Sequence, residues 1–181
     1  MFKEEPDKSN HEPNESPRLL SQDQPVGESL LLEASSLLKG QLEDSCSTKI
    51  LIVDANVLEK IAIKGIFSQY QFESDLAANG KQAVDMVQAR LESGHPMYSL
   101  IIMDYNIPIF NGAKATNMIK NLQLDHKDSV EPYIVCLTNF KEDNKIRMEV
   151  LNAGMNELVG KPIFKSGIYR LLVAAELDPL G

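Results

Sequence analysis

The sequence lacks most of the features that announce a function directly. Two cysteines, Cys46 and Cys136, stand far apart with no paired spacing, which excludes a disulfide framework and a thiolate metal site and makes a reducing compartment the default. No apolar run approaches the roughly 20 residues that cross a bilayer, and the N-terminus lacks the basic-then-apolar order of a secretory leader. A soluble, cytoplasmic chain without a membrane partner is therefore expected. Cations are scarce as well: 18 Lys and Arg face 26 Asp and Glu, for a formal charge of -8. Without a basic stripe to neutralise phosphates, no nucleic-acid partner is expected. There is no Gly-rich phosphate loop ending in Lys-Ser/Thr, so ATP is not the expected phosphoryl donor. His11, His95 and His126 are scattered without ligand spacing, which points to neither a zinc site nor a phosphotransfer histidine.

What remains suits one globular domain. The chain has 181 residues, 43% of them hydrophobic, enough for a single core with some polar chain left over. The acidity is concentrated at the N-terminus, where residues 1–46 hold ten acidic and four basic side chains. Residues 1–27 are dominated by Glu, Asp, Ser, Asn, Gln and four prolines, too polar to offset the entropy of ordering, and read as disordered. Leu31, Ala34, Leu38 and Leu42 then fall near helical spacing. Over about residues 28–43 this is either a short amphipathic helix for docking or dimerising, or merely a linker. The division is an acidic tail over 1–46, a folded domain over 47–177 and a C-terminal end over 178–181. No output domain is expected after Leu177.

From Lys49 the texture becomes an alternation of short apolar runs and helical patterns, which signals repeated strand–helix units. KILIVD (49–54) and SLIIMD (99–104) are continuous apolar runs ending in carboxylates, as strands buried on both faces should look. FESDLA (72–77), YIVCLT (133–138) and ELVG (157–160) supply the other strands. Between them, Leu58, Ile61, Ala62 and Gly65 mark one helical face, then Ala83, Val84, Val87 and Leu91, then Ala115, Met118, Ile119 and Leu122. Ile146, Val150 and Ala153 form a helix ended by Gly154, and Ile168, Leu171, Leu172 and Ala175 form the last. Strict alternation predicts an α/β fold: a flavodoxin-like, doubly wound, five-stranded parallel sheet with five helices on its two faces.

In such sheets ligands gather beyond the carboxyl ends of the strands. There stand Asp54, Asp104, Thr138 and Lys161, at the ends of the first, third, fourth and fifth strands. Two carboxylates held together repel unless a cation sits between them, and hard oxygen ligands suit Mg²⁺, which also bridges phosphate oxygens. Lys161 would neutralise further phosphate charge, and the Thr138 hydroxyl would donate to another phosphate oxygen. A carboxylate so placed can attack an activated phosphoryl group to give an acyl phosphate. Structural readings stand beside these: Asp104 capping the next turn, Asp54 as a charge partner of Lys161, Thr138 as a β-branched strand residue and Lys161 as a solvated lysine. Cys136 reads as a small buried apolar residue. Ile109 and Phe110 form either a partner-docking patch or loop residues tucked onto the sheet.

ILIVDAN (51–56), IIMDYNIPIFNG (101–112), IVCLTN (134–139) and VGKPI (159–163), with AANGKQA (77–83), resemble the receiver domain of two-component response regulators. The resemblance covers about 130 of the 181 residues, and the Asp-x-x-x-Pro-x-x-x-Gly spacing of Asp104, Pro108 and Gly112, followed by Thr138 and Lys161-Pro162, is specific in combination. It implies Asp104 as phosphoacceptor, with Asp54, Asp104 and the Asn106 backbone carbonyl as Mg²⁺ ligands. It also implies Thr138 as the switch hydroxyl, Lys161 as the phosphate-contacting cation and a cis bond before Pro162. The implied partner is a histidine kinase or histidine phosphotransfer protein, whose phosphohistidine would donate to Asp104, so that the chain is a signalling switch rather than an enzyme. Three departures matter. Ala55 stands where the family places a second, metal-binding acid, which should weaken Mg²⁺ binding. Leu158 stands where a switch Tyr or Phe is common, and Asn139 where a small residue keeps the phosphate accessible. The alternative is therefore a pseudo-receiver that binds proteins without phosphorylation. An aspartyl phosphohydrolase ranks last, because Asn106 occupies the position of its second acid.

Overall fold

The computed structural model describes residues 49–140 and 142–179, so the expected tail over 1–46 and its helix over about 28–43 lie outside the described residues. Within them the chain alternates without interruption: β1 (Ile50–Val53), α1 (Val57–Ser68), β2 (Ser74–Ala77), α2 (Gly80–Ser93), β3 (Leu100–Asp104), α3 (Gly112–Leu124), β4 (Tyr133–Thr138), α4 (Asn144–Asn152), β5 (Glu157–Gly160) and α5 (Lys165–Ala174). The strands form one parallel sheet in the order β2-β1-β3-β4-β5. This is the expected flavodoxin-like arrangement. The chain steps from β1 outward to β2 and then back past β1 to β3, so strand order reverses between β1 and β3, and a crevice opens beyond their carboxyl ends.

Apolar runs become strands here because both sheet faces are covered. Leu51, Val53, Ile101, Met103, Ile134 and Cys136 share one core with Val84, Val87, Ile119 and Val150 from α2, α3 and α4. Ile50, Ile52, Leu100, Ile102, Val135 and Leu137 share the other with Ile63 and Phe67 of α1 and Ile168, Leu171 and Leu172 of α5. Each such side chain contributes about 1.5–3 kcal/mol on leaving water. β2 is the polar exception. As an edge strand it carries Asp75, whose carboxylate receives Arg90 Nη2 at 3.0 Å and the Tyr98 hydroxyl at 2.7 Å.

Two sequence expectations are corrected. The second strand starts at Ser74 rather than Phe72: Phe72 N–H is taken by the Phe67 carbonyl at the end of α1, and Gln71 adopts a positive φ of 62°, so the chain is still turning there. In α1 the buried face is Lys60, Ile63 and Phe67. Leu58 and Ile61 point outward, 77% and 57% exposed. The helix has apolar residues on two stripes, and its capped start selects between them, as the site shows. The residues expected on the other helical faces are buried or packed except Ala153, which is the half-exposed cap after α4.

Local chemistry fixes the carboxyl edge. Asn56, Asn79, Asn111 and Asp143 each cap the helix that follows, their side chains accepting N–H groups of the first turn. Asn56 and Asn79 come almost directly after β1 and β2, which ties those strand ends to helix starts. At Gly112 a Cβ would lie 2.5 Å from the Asp104 carbonyl oxygen, so the spacing from Asp104 to Gly112 reflects α3 starting against the strand end. The peptide before Pro162 is cis, as expected.

Candidate functional site

Asp54 follows directly on β1. It is nearly buried, at 2% exposure. One oxygen, Oδ1, accepts Asn56 N–H at 2.7 Å, and the other accepts Lys161 Nζ at 2.7 Å. Asp104 closes β3. Its Oδ1 accepts Asn106 N–H at 3.3 Å and its Oδ2 lies 3.1 Å from Lys161 Nζ. The turn-capping reading of Asp104 and the charge-partner reading of Asp54 are thus both realised. Lys161 is mostly buried rather than a solvated lysine. Burial by itself would lower its pKa, but hydrogen bonds to Asp54, Glu59 and Asp104 outweigh that and hold the ammonium above its usual value. Burial pushes the Asp104 carboxyl above the ordinary carboxylate range, against the hydrogen bond and charge of Lys161, with the Asp54 carboxylate adding to the rise.

Thr138 is fully buried at the end of β4. It joins the cluster through the backbone, Lys161 N–H donating to its carbonyl at 2.9 Å, while its hydroxyl accepts Phe140 N–H at 3.0 Å. The structure therefore brings Asp54, Asp104 and Lys161 into direct contact, and leaves the Thr138 side chain turned to its own loop. Asn106, in the loop directly after β3, is exposed. Ala55 and Asn139 are exposed, and Leu158 is half-buried, packed on the core beside Cys136. Cys136 is buried, and burial pushes its thiol up to about 12. In the β3–α3 loop, Ile109 is 65% exposed with φ of 72°, while Phe110 packs on the core. The patch expected there is half outward and half tucked in.

One site residue escaped the sequence reading. Glu59, in the first turn of α1, reaches Lys161 Nζ with Oε2 at 2.5 Å and accepts the Asn56 side-chain amide on Oε1 at 3.1 Å. Its signal was the Asn56-x-x-Glu59 spacing of a capping box. Asp54 takes the Asn56 backbone N–H, so Glu59 meets the amide side chain instead and keeps its other oxygen for Lys161. The same bonds set the phase of α1: with Asn56 held by Asp54 and Glu59 held by Lys161, the Ile63 and Phe67 stripe turns onto the sheet.

Three carboxylates thus converge on one ammonium. Like charges about 4 Å apart repel by about 4 kcal/mol at an effective dielectric of about 20, so the cluster favours a further cation. The donors are hard oxygens, the chemistry that suits Mg²⁺, and the ammonium marks where positive charge is held. Among the described residues no three His, Cys, Asp or Glu side chains are spaced to hold an ion unaided. A cleft of about 280 Å³ beside the cluster is lined by Glu59, Ile63, Asn139, Lys161 and Pro162. A larger hollow, about 420 Å³, lies among the α2–β3 and α3–β4 loops, at the opposite end of the sheet from these carboxylates.

The model of the response regulator receiver domain matches residues 50–172. The osmosensing histidine protein kinase SLN1 of Saccharomyces cerevisiae is 32% identical over 136 residues, covering 75% of this chain but 11% of that kinase. The fold matches the receiver domain of the sensor histidine kinase PA1611 of Pseudomonas aeruginosa with a TM-score of 0.59 and 26% identity, over 70% of this chain and 96% of that one. That structure holds a magnesium ion in its active-site cleft. A chain in the co-crystal of the S. cerevisiae phosphotransfer protein Ypd1 with the receiver domain of Ssk1 also matches, with a TM-score of 0.59 and 23% identity over 68% of this chain and 85% of that one, a likeness of fold. Among the described residues no helix is long and apolar enough to cross a membrane. A family match over residues 50–172, on a sheet wound in this order, makes the chain a member of the response regulator receiver domain family of two-component signalling.

Proposed function

We propose that the domain is a working phosphoacceptor, with Asp104 as the nucleophile. The observation that carries this is the contact of Lys161 Nζ with both Asp54 Oδ2 and Asp104 Oδ2, at 2.7 and 3.1 Å. An anionic nucleophile, a second acid and a cation meet at the reversal of strand order. In the reaction an Asp104 carboxylate oxygen attacks phosphorus, the N–P bond of a partner's phosphohistidine breaks, and the imidazole nitrogen leaves with the electron pair and is reprotonated. Asp54, Asp104 and the Asn106 carbonyl would hold Mg²⁺, which when bound neutralises charge on the transferring oxygens. Lys161 neutralises another, and the Thr138 hydroxyl must turn from its loop to donate to a third. The acyl phosphate adds charge beside β4 and β5 and shifts the balance of conformers there.

The donor fits a histidine phosphotransfer protein or histidine kinase. Next to the site, α1 presents Val57, Leu58 and Ile61, 61%, 77% and 57% exposed, and such a face suits the apolar flank of a helical donor. The pairing of Ypd1 with the Ssk1 receiver is consistent with this partner class. Signalling then passes through protein contacts, without turnover of a substrate.

A second reading, a phosphorylation-independent docking module, is favoured by Ala55, which is exposed and offers no carboxylate. Incubation with Mg²⁺ and phosphoramidate, read by intact mass, separates the two. One phosphate adduct on the wild type, absent from Asp104→Asn, supports the acceptor. No adduct on the wild type, but one on Ala55→Asp, establishes the docking module.

A further inference from the structure

We propose that Glu59 replaces the carboxylate missing at residue 55, supplying from α1 the second non-acceptor acid of the divalent-cation site and guarding Lys161 while that site is empty. The inference rests on the acceptor reading above. Ala55 leaves Asp54 as the one acid at the end of β1, yet three carboxylates still reach the cluster, because Glu59 comes in from the first turn of the next helix. Its position is built rather than incidental: Asn56 caps α1 with its carbonyl oxygen and orients Glu59 with its amide. An ammonium has three hydrogens to donate, and Lys161 spends them on Asp54, Glu59 and Asp104. No hydrogen is left for a phosphoryl oxygen. Lys161 can serve an incoming phosphate only if one carboxylate lets go.

The three are not equally able to leave. Asp54 is buried and held on its other oxygen by a backbone N–H, and Asp104 is the nucleophile. Glu59 has the longest side chain and is 41% exposed, against 3% and 12% for the two aspartates. Departure of Glu59 from Lys161 toward an entering cation would do both tasks together, adding negative charge to the ion and freeing the lysine. Contact through water suffices, since Mg²⁺ keeps much of its hydration.

The test is Mn²⁺ binding to the full chain by electron paramagnetic resonance, for wild type, Glu59→Gln, Ala55→Asp and the double variant, with unfolding curves as the check on folding. Glu59→Gln keeps the hydrogen-bonding shape and removes the charge. It is expected to weaken Mn²⁺ binding about 10–100-fold, the usual cost of disturbing a metal's supporting ligands, and to cost little once Ala55→Asp has restored the family's acid. Unchanged or tighter binding in Glu59→Gln, or an equal loss in both backgrounds, overturns the inference and leaves Glu59 a counter-ion of Lys161 alone. Phosphoramidate labelling of the same proteins keeps the two readings apart. Labelling that persists while Mn²⁺ binding ignores Glu59 removes this inference only. A Glu59-dependent cation site with no Asp104 adduct on any variant removes the acceptor and keeps the site.

Discussion

The two halves of the sheet's carboxyl edge are built differently. On the β1–β3 side, Asp54, Glu59 and Asp104 are all ion-paired to Lys161, and every one of these acids has its second oxygen engaged by a local N–H donor. That half is rigidly defined by charge. On the β4–β5 side the Thr138 hydroxyl faces its own loop, Leu158 stands where the family favours an aromatic, and the polar contact that reaches α4 runs from the acceptor loop instead: Tyr105 Oη donates to Glu149 Oε2 at 2.8 Å and Asn111 Nδ2 to Glu149 Oε1 at 3.0 Å. The first half gathers three acids on one cation, whereas the second carries Leu158 in its strand and holds α4 through Glu149. Tyr105 directly follows Asp104, so this bridge links the end of β3 to the helix.

The comparison breaks most visibly at Lys161. Lys161→Met removes the cation shared by three acids and leaves buried carboxylates without a partner, which typically costs about 3–5 kcal/mol. Urea unfolding should show that loss, and Mg²⁺ should recover more of it in the variant than in the wild type. Stability indifferent to both the substitution and Mg²⁺ would mean that charge does not define this half. On the other side, Glu149→Ala strips partners from the Tyr105 hydroxyl and the Asn111 amide, for about 1–3 kcal/mol. Amide exchange should then quicken in α4 and the β3–α3 loop while the phosphoramidate labelling rate holds within about twofold. Exchange confined to other segments would remove the bridge.

Sequence patterning carried most of this structure, and where it failed is instructive. Strand ends were legible because burial on both faces leaves only the terminal carboxylate, hydroxyl or ammonium polar, so Asp54, Asp104, Thr138 and Lys161 stood out. Periodicity gave α2, α3 and α5, each with one apolar stripe. It failed in α1, where two apolar stripes compete and the choice is made by bonds from Asp54, just before the helix, and from Lys161, far along the chain. Glu59 was hidden for the same reason: its partner is 102 residues away. Leu58→Ala should therefore change stability by less than about 0.5 kcal/mol, as surface changes do, while Ile63→Ala costs about 2–5 kcal/mol. Equal costs would return the helix to the phase read from its sequence.

The smallest effect is expected at Cys136, which lies on β4 between the two halves. Its thiol is fully buried, and burial, helped by the Asp104 carboxylate, raises its pKa to about 12 from an ordinary value near 8.5. A raised folded-state pKa means that folding favours the protonated thiol. The stability tied to it is complete below the unfolded value and is lost progressively as pH climbs from there through about 12. At pH 8 roughly one thiol in ten thousand is ionised, and the thiolate is the reactive form. Peptide mapping after iodoacetamide at pH 8 should find Cys136 unmodified in the native protein and fully modified in urea. Native alkylation that is slowed by Mg²⁺ would instead show β4 opening toward the site, and would join the two halves through a motion of that strand.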